Sequence, residues 1–263
     1  MFSGWLRRFK PVVTSGGNPE KTGRMPISGG LAPDERIYAI GDIHGKLELL
    51  EQLQALIVAD LQARPADSAK LIYLGDYIDR GGKSRQVVER LLRPAPQLPP
   101  AIMLRGNHEQ TLLDCIDHPG RLDDWCSFGG LETLMSYGVD PALLRSRSNP
   151  AATIAAFVDV CGDHVDFYRG LEISASFGNY FFCHAGVRPG IALHRQAAED
   201  LMWIRQEFIG SDASFGAIIV HGHTPVERPE VRHNRINIDT GAYATRVLTA
   251  LVLQGDDIRF LHT

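Results

Sequence analysis

The stretch LIYLGDYIDRGGKSRQVVER, residues 71–90, decides how the rest of the chain is read. An apolar run from Leu71 to Leu74 stops at Gly75 and releases three charged side chains, Asp76, Asp79 and Arg80. Gly81 and Gly82 then turn the chain into a segment that carries Val87, Val88, Leu91 and Leu92 at helical spacing. Carboxylates set straight off the end of a buried strand belong to active sites more often than to surfaces, because ligands of open α/β sheets collect outside the strands' carboxyl ends. A chance surface loop would have no reason to repeat this layout.

The layout is repeated. Upstream, RIYAIGD (36–42) reads as a strand, and Leu47, Leu50, Leu53, Leu56, Ile57 and Leu61 give the following segment a helical stripe. Downstream, AIMLRGN (101–107) reads as a third strand, with HEQTLLDCI (108–116) opening a third helix. Three strand–loop–helix units with periods of roughly 30 residues predict a parallel sheet with right-handed crossovers. Residues 118–165 read as a helical insertion, a cap beside the site. LEISASFGNYFFCHAG (171–186) reads as a hairpin turning near Gly178-Asn179, and the short strands after it are expected to complete a second sheet packed on the first.

Residues 1–34 differ from this body. MFSGWLRRFK is basic and aromatic, and the Gly/Ser/Pro-rich run after it has no periodicity, so a flexible leader is expected ahead of a domain at 35–263. The first ten residues lack the apolar core of a secretory signal. A formal net charge of −4, with no Lys/Arg cluster in the body, argues against nucleic acid. No apolar stretch is long enough to span a membrane. Four widely spaced cysteines without a C-x-x-C pair point to a reducing compartment, hence the cytoplasm.

Five places share one form, an apolar strand followed by a polar cluster with glycine: Asp42-Ile43-His44-Gly45, Asp76 to Gly81, Gly106-Asn107-His108-Glu109, His184-Ala185-Gly186 and His221-Gly222-His223. One such cluster alone reads as a helix cap or a satisfied loop. Five at the strand ends of one domain point to a site. Asp, Asn and His are the ligands of Mn, Fe or Zn, and there are enough donors for two ions with a carboxylate between them.

In this order, GDIHG, GDYIDRG, RGNHE, HAG and GHTP resemble the phosphoprotein phosphatase family of calcineurin-like metallophosphoesterases, over residues 41–225. The body is most similar to the compact bacterial and phage-type serine/threonine phosphatases. The resemblance implies an α/β fold of two packed mixed β-sheets flanked by helices. It implies Asp42 and His44 on a first metal, Asp76 bridging both, and Asn107, His184 and His223 on the second, with Mn²⁺ first among the candidate ions and Fe or Zn behind it. It implies His108 as general acid with Asp79 orienting it, Arg80 and Arg205 on the phosphate oxygens, and a hydroxide bridging the two metals as nucleophile.

The expected substrate is a phosphorylated protein or peptide. No regulatory subunit is expected, because the long C-terminal grooves of eukaryotic members have no counterpart here. The alternative within the superfamily is a bis(5′-nucleosyl)-tetraphosphatase, which expels a better leaving group. The presence of Asp79 and Glu109 ranks it second. A catalytically inactive binding protein ranks last, because every candidate ligand is present. Blander readings are assigned to Glu109 (helix start), His221 (the opposite face from His223) and His118, His164, His194, His233 and His262, while Arg105 is read equally as a salt-bridged brace of its loop or a contact to substrate. Asp239 is read as a hydrogen-bonding support for the metal site, and Tyr243 is left without a role.

Overall fold

The computed structural model describes residues 21–22, 30–146 and 148–263. Most of the expected leader lies outside the described residues. Two pieces within residues 1–34 are described as part of the fold. The short strand β1 (Lys21–Thr22) pairs with the last strand of the chain, and Leu31 is buried in the core.

The three predicted units appear in order: β2 (Glu35–Ile40) and α1 (Leu47–Ala63), β3 (Ser68–Tyr73) and α2 (Ser84–Leu92), β4 (Ala101–Met103) and α3 (Asn107–Asp117). The strands β2, β3 and β4 lie side by side and parallel. The insertion is helical throughout its ordered elements. It runs through α4 (Leu122–Trp125), a π-helical turn at Cys126–Gly130, α5 (Leu131–Ser136), α6 (Pro141–Ser146), α7 (Pro150–Cys161) and α8 (His164–Arg169).

The predicted hairpin is β5 (Ser174–Phe177) with β6 (Tyr180–Cys183). After α9 (Ala198–Trp203) and α10 (Gln206–Ile209) come β7 (Ile218–His221), β8 (Glu230–Val231) and β9 (Arg235–Asn237). A short helix α11 (Ala242–Thr245) leads to β10 (Thr249–Gln254) and β11 (Asp257–His262). The sheets are ordered β1-β11-β10-β2-β3-β4 and β5-β6-β7-β9-β8. One expectation is corrected here. Strands β10 and β11 do not join the second sheet; β10 runs antiparallel to β2 and extends the first. β10 carries apolar side chains on both faces, so it fits beside the doubly covered β2.

Alternation along β2 shows how the layers stack. Ile37 and Ala39 face the second sheet, where they meet Tyr180, Phe182, Val220 and Ile236. Tyr38 and Ile40 face the opposite way, toward Leu50, Leu53 and Ile57 of α1 and the helices of the insertion. A third cluster packs Phe181 and Ile219 of the second sheet under Leu201 of α9 and Phe208 of α10. The result is a four-layer helix–sheet–sheet–helix sandwich, as expected. Both sheets contribute parallel strands, β2, β3 and β4 from one and β6, β7 and β9 from the other. The loops after them meet at one end of the sandwich. No described helix is long and apolar enough to cross a membrane.

Candidate active site

Every one of the five strand-end clusters delivers a side chain to this one end. The backbone there is forced into conformations that side chains rarely adopt. Among the described residues, the non-glycine positions with left-handed φ are His44 (47°), Asp76 (53°), Asp79 (70°), Arg80 (63°), His223 (66°) and Arg246 (63°). All but Arg246 are candidate site residues. Such strain persists only where surrounding structure imposes it, and it marks sites that aim side chains. Gly106 shows the crowding: a Cβ there would run into the Asp76 carboxylate, which takes the N–H of His108 at 3.1 Å.

Asp76 sits at the centre. His44 Nε2 lies 3.5 Å from its Oδ2 and His184 Nε2 lies 3.4 Å from its Oδ1. Two sets of buried donors converge: His44, Asp76 and His108, and Asp76, His184 and His223, each with ligand atoms within 4.8 Å of one another. Asn107 Oδ1 joins the second set, 2.9 Å from His184 Nε2. His108, expected as the general acid, falls within the first set, and Asp42, expected beside His44, lies at the same end of the sandwich outside both sets. The Asp42 carboxylate accepts the backbone N–H of His223 at 3.2 Å and lies close to Asp239. Burial and two neighbouring acids, Asp239 and Asp76, push the Asp42 carboxyl well up. Asp239 itself is raised to about 6, chiefly by burial.

These donors fit cations on chemical grounds. His44 and His184 each give Nδ1 to a main-chain carbonyl, Ile78 and Leu74, at 2.8 Å. This leaves their Nε2 lone pairs pointed at carboxylate and amide oxygens, an arrangement that makes sense around positive charge. Burial lowers the pKa of His44, His184 and His223, so the imidazoles stand in the neutral, ligating form. Among the described residues, His223 Nε2 is buried without a hydrogen-bond partner. Asp76 is buried too, yet any positive charge on the four imidazoles around it drives its pKa far below the usual carboxylate range.

Beside the clusters lies the His108–Asp79 pair. His108 Nδ1 is 2.7 Å from Asp79 Oδ2, and both side chains are buried. Burial works against a charged His108, but the Asp76 and Asp79 carboxylates outweigh it and its pKa is raised. Arg80 reaches His108 Nε2 at 3.1 Å and lies over the Tyr243 ring at 4.5 Å. Arg205 comes in from the second sheet's side, touches Thr224 at 3.4 Å, and has its pKa lowered by burial and by the facing Arg80. Two guanidinium groups within electrostatic reach of each other, neither ion-paired to a carboxylate among the described residues, make a seat for an anion.

A family model for calcineurin-like phosphoesterases matches residues 35–257. The chain is a calcineurin-like phosphoesterase.

Among the phosphoesterase's relatives is a bis(5′-nucleosyl)-tetraphosphatase PrpE [asymmetrical] from Bacillus thuringiensis (strain Al Hakam). It is 26% identical over 233 residues, covering 81% of this chain and 88% of the relative. A protein of the same description from Geobacillus sp. (strain WCH70) is 26% identical over 235 residues, covering 82% and 89%. Among solved structures, a putative diadenosine tetraphosphatase superposes with a TM-score of 0.55 at 19% identity, covering 86% of this chain and 93% of its own. A protein serine/threonine phosphatase from Saccharomyces cerevisiae superposes with 0.54 at 13%, covering 88% and 80%. These two superpositions speak to the fold alone.

Three residues of the phosphoesterase site escaped the sequence reading. Glu109 is more than a helix start. Wholly buried, it accepts N–H bonds from Gly106 (3.0 Å), Asp76 (2.9 Å), Tyr77 (2.8 Å) and Ile78 (3.3 Å), so one carboxylate clamps two loops of the candidate site. Burial and the nearby Asp76 lift its pKa to about 7. Its place three residues after the Gly106 cap, as in a capping box, was the available signal. Trp125 and Thr133, from the insertion, hydrogen-bond the Asp79 carboxylate. Nothing in their local sequence announces it. Arg105 does brace its loop, but through Gln110 and the carbonyls of Arg169 and Leu171 rather than a salt bridge. His221 turns away from the clusters onto Phe208, with ring centroids 5.0 Å apart. Tyr243, left without a role by sequence, packs edge-on against His44.

Proposed function

We propose that this phosphoesterase hydrolyses phosphomonoesters whose leaving groups are poor, with phosphorylated serine and threonine side chains of proteins or peptides as its substrate class. The observation that carries this is the buried His108–Asp79 pair at 2.7 Å, set against the anion seat between Arg80 and Arg205. An alkoxide leaving group needs a proton in the transition state, and a carboxylate-oriented imidazole is a fit donor.

Asp42, His44 and Asp76, with Asn107, His184 and His223, would hold two cations, Mn²⁺ first among them. Bound there, the ions would supply Lewis acidity to water and to the phosphoryl oxygens. The protein's own residues do the rest. Arg80 and Arg205 grip the phosphoryl oxygens and set the ester oxygen toward His108. Asp79 holds the Nδ1 proton, which leaves Nε2 as the atom that hands a proton to the departing oxygen. In the free enzyme Arg80 covers that Nε2. A guanidinium only donates, so this nitrogen is bare while Arg80 covers it; once Arg80 moves onto phosphate, Nε2 takes up a proton from solvent and becomes the acid.

A second reading, hydrolysis of dinucleoside tetraphosphates, is favoured by the sequence relatives, which are bis(5′-nucleosyl)-tetraphosphatases along 81% of the chain. Their leaving group is already stable as an anion and draws less on a general acid. The test is turnover of a phosphoserine peptide and of diadenosine tetraphosphate, side by side, by the Mn²⁺-supplied enzyme. Higher kcat/KM on the peptide, abolished by a chelator, is the expected result. Higher kcat/KM on the dinucleotide would hand the site to the second reading.

A further inference from the structure

We propose that Trp125 and Thr133 are positioning residues for the acid pair: the helical insertion, through them, fixes the Asp79 carboxylate in the one orientation that serves His108. This rests on the reading of His108 as general acid and assigns a task to a part of the chain that carries no recognisable motif.

The Asp79 side chain is fully buried, and each of its oxygens is held by the insertion. Thr133 Oγ1 donates to Oδ1 at 2.6 Å. The Trp125 indole Nε1–H lies between the two oxygens, at 3.2 Å from Oδ1 and 3.1 Å from Oδ2. Oδ2 then faces His108 Nδ1. Thr133 Oγ1 also accepts the backbone N–H of Asp79 at 2.9 Å, so one hydroxyl fixes main chain and side chain together. A carboxylate's terminal torsion is broad and close to two-fold, so without these donors Asp79 would turn freely about it. The imidazole would then lose both its tautomer and its aim, the two things a general acid needs from its partner.

The turn between α4 and α5 adds a second hold. Gly129, at φ 107°, accepts the backbone N–H of Arg80 at 3.1 Å. A Cβ at Gly129 would come within 2.7 Å of that nitrogen, and a Cβ at Gly130 would strike the Trp125 indole. Phe128 sits edge-on to His108, with centroids 6.3 Å apart. The turn therefore lies flush on the Asp79–Arg80 loop, pressing the acid pair and the phosphate grip into register. Trp125 also has an ordinary packing role against Phe157. Loss of packing alone would damage turnover of every substrate alike, which separates the two roles.

The experiment compares kcat on a phosphoserine peptide with kcat on p-nitrophenyl phosphate, whose leaving group needs little protonation, for the Mn²⁺-loaded enzyme and four variants. His108→Asn sets the scale, and its loss on the peptide should exceed its loss on p-nitrophenyl phosphate by at least about a hundredfold. Trp125→Phe and Thr133→Val should show the same one-sided loss, between about tenfold and a hundredfold, the weight of one hydrogen bond to a charged group. Thr133→Ser, which keeps the hydroxyl, should stay within roughly threefold of the parent on both substrates. A readout apart from turnover is the low-field proton resonance of His108 Nδ1–H in the Zn²⁺-loaded protein, expected in the parent and in Thr133→Ser and broadened or lost in Thr133→Val. Equal losses on both substrates for Trp125→Phe and Thr133→Val, with a one-sided loss for His108→Asn, would overturn the positioning role and leave the acid standing. An even loss for His108→Asn would overturn the acid assignment, and this proposal with it. If Trp125→Phe fails to fold, the Thr133 pair decides alone.

Discussion

The strand-end loops and the helical insertion treat the same aspartate in opposite ways. The loop GDYIDRG holds Asp76, Asp79 and Arg80 at left-handed φ, a costly backbone that only dense packing sustains. The insertion reaches Asp79 from ordinary helical residues, Trp125 at the end of α4 and Thr133 within α5. On the proposed reading, chemistry is carried on strained loops and precision is supplied from helices behind them. A rigid scaffold that positions reactive loops lets each part follow its own rule. The difference can be tested by cutting on each side of it.

The largest effect should come from the loop side. Asp76→Asn removes the carboxylate shared by both donor clusters, and turnover on p-nitrophenyl phosphate should fall at least roughly a thousandfold. Metal content per purified chain should fall with it. A variant that kept its metal and lost less than about tenfold would show that the two clusters do not depend on Asp76, and the centre of the site would have to move.

Next in size is Glu109, which belongs to both regions, since it sits in α3 and clamps the Asp76 loop. Glu109→Ala would strand four buried N–H groups, and a cost of about 3–5 kcal/mol in denaturant unfolding is expected. Glu109→Gln keeps one acceptor oxygen and should cost less. A change under about 1 kcal/mol for the alanine variant would mean that water replaces the clamp.

What sequence could and could not reveal follows the same division. The α/β class, the parallel units and the ring of donors were legible because strand-end loops compress their function into contiguous letters. GDIHG or RGNHE is a local fact. The hold of Asp42 on the His223 N–H was harder to read, because it depends on the second sheet, far along the chain. Strands β10 and β11 were misassigned for a related reason. Their apolar runs fit either sheet, and the antiparallel register against β2 is a tertiary choice. Trp125 and Thr133 were illegible altogether. A tryptophan and a threonine in a helical segment read as packing, and only the fold brings them 46 and 54 positions back to Asp79.

The HGH run sharpens the comparison at its smallest scale, because it places two histidines two residues apart and gives them opposite fates. His223 takes the strained φ of 66° and joins the donors. His221 stays in β7, bonds the Gly222 carbonyl at 3.1 Å through Nδ1, and leaves Nε2 buried with no partner among the described residues. Burial lowers its pKa to about 3, with the nearby Arg235 adding to the effect. In the unfolded chain the same ring titrates near its ordinary value of about 6.5. Below that pH the unfolded state binds a proton that the folded state refuses, so stability is whole above about 6.5 and drains away as pH falls toward 3, by up to about 1.4 kcal/mol per pH unit. His221→Asn cannot take up that proton. Between pH 7 and 5, unfolding free energies of the variant should therefore fall less steeply than those of the parent. Parallel slopes would place the acid sensitivity in the donor histidines instead, and would make His221 a packing residue with no electrostatic consequence for the fold.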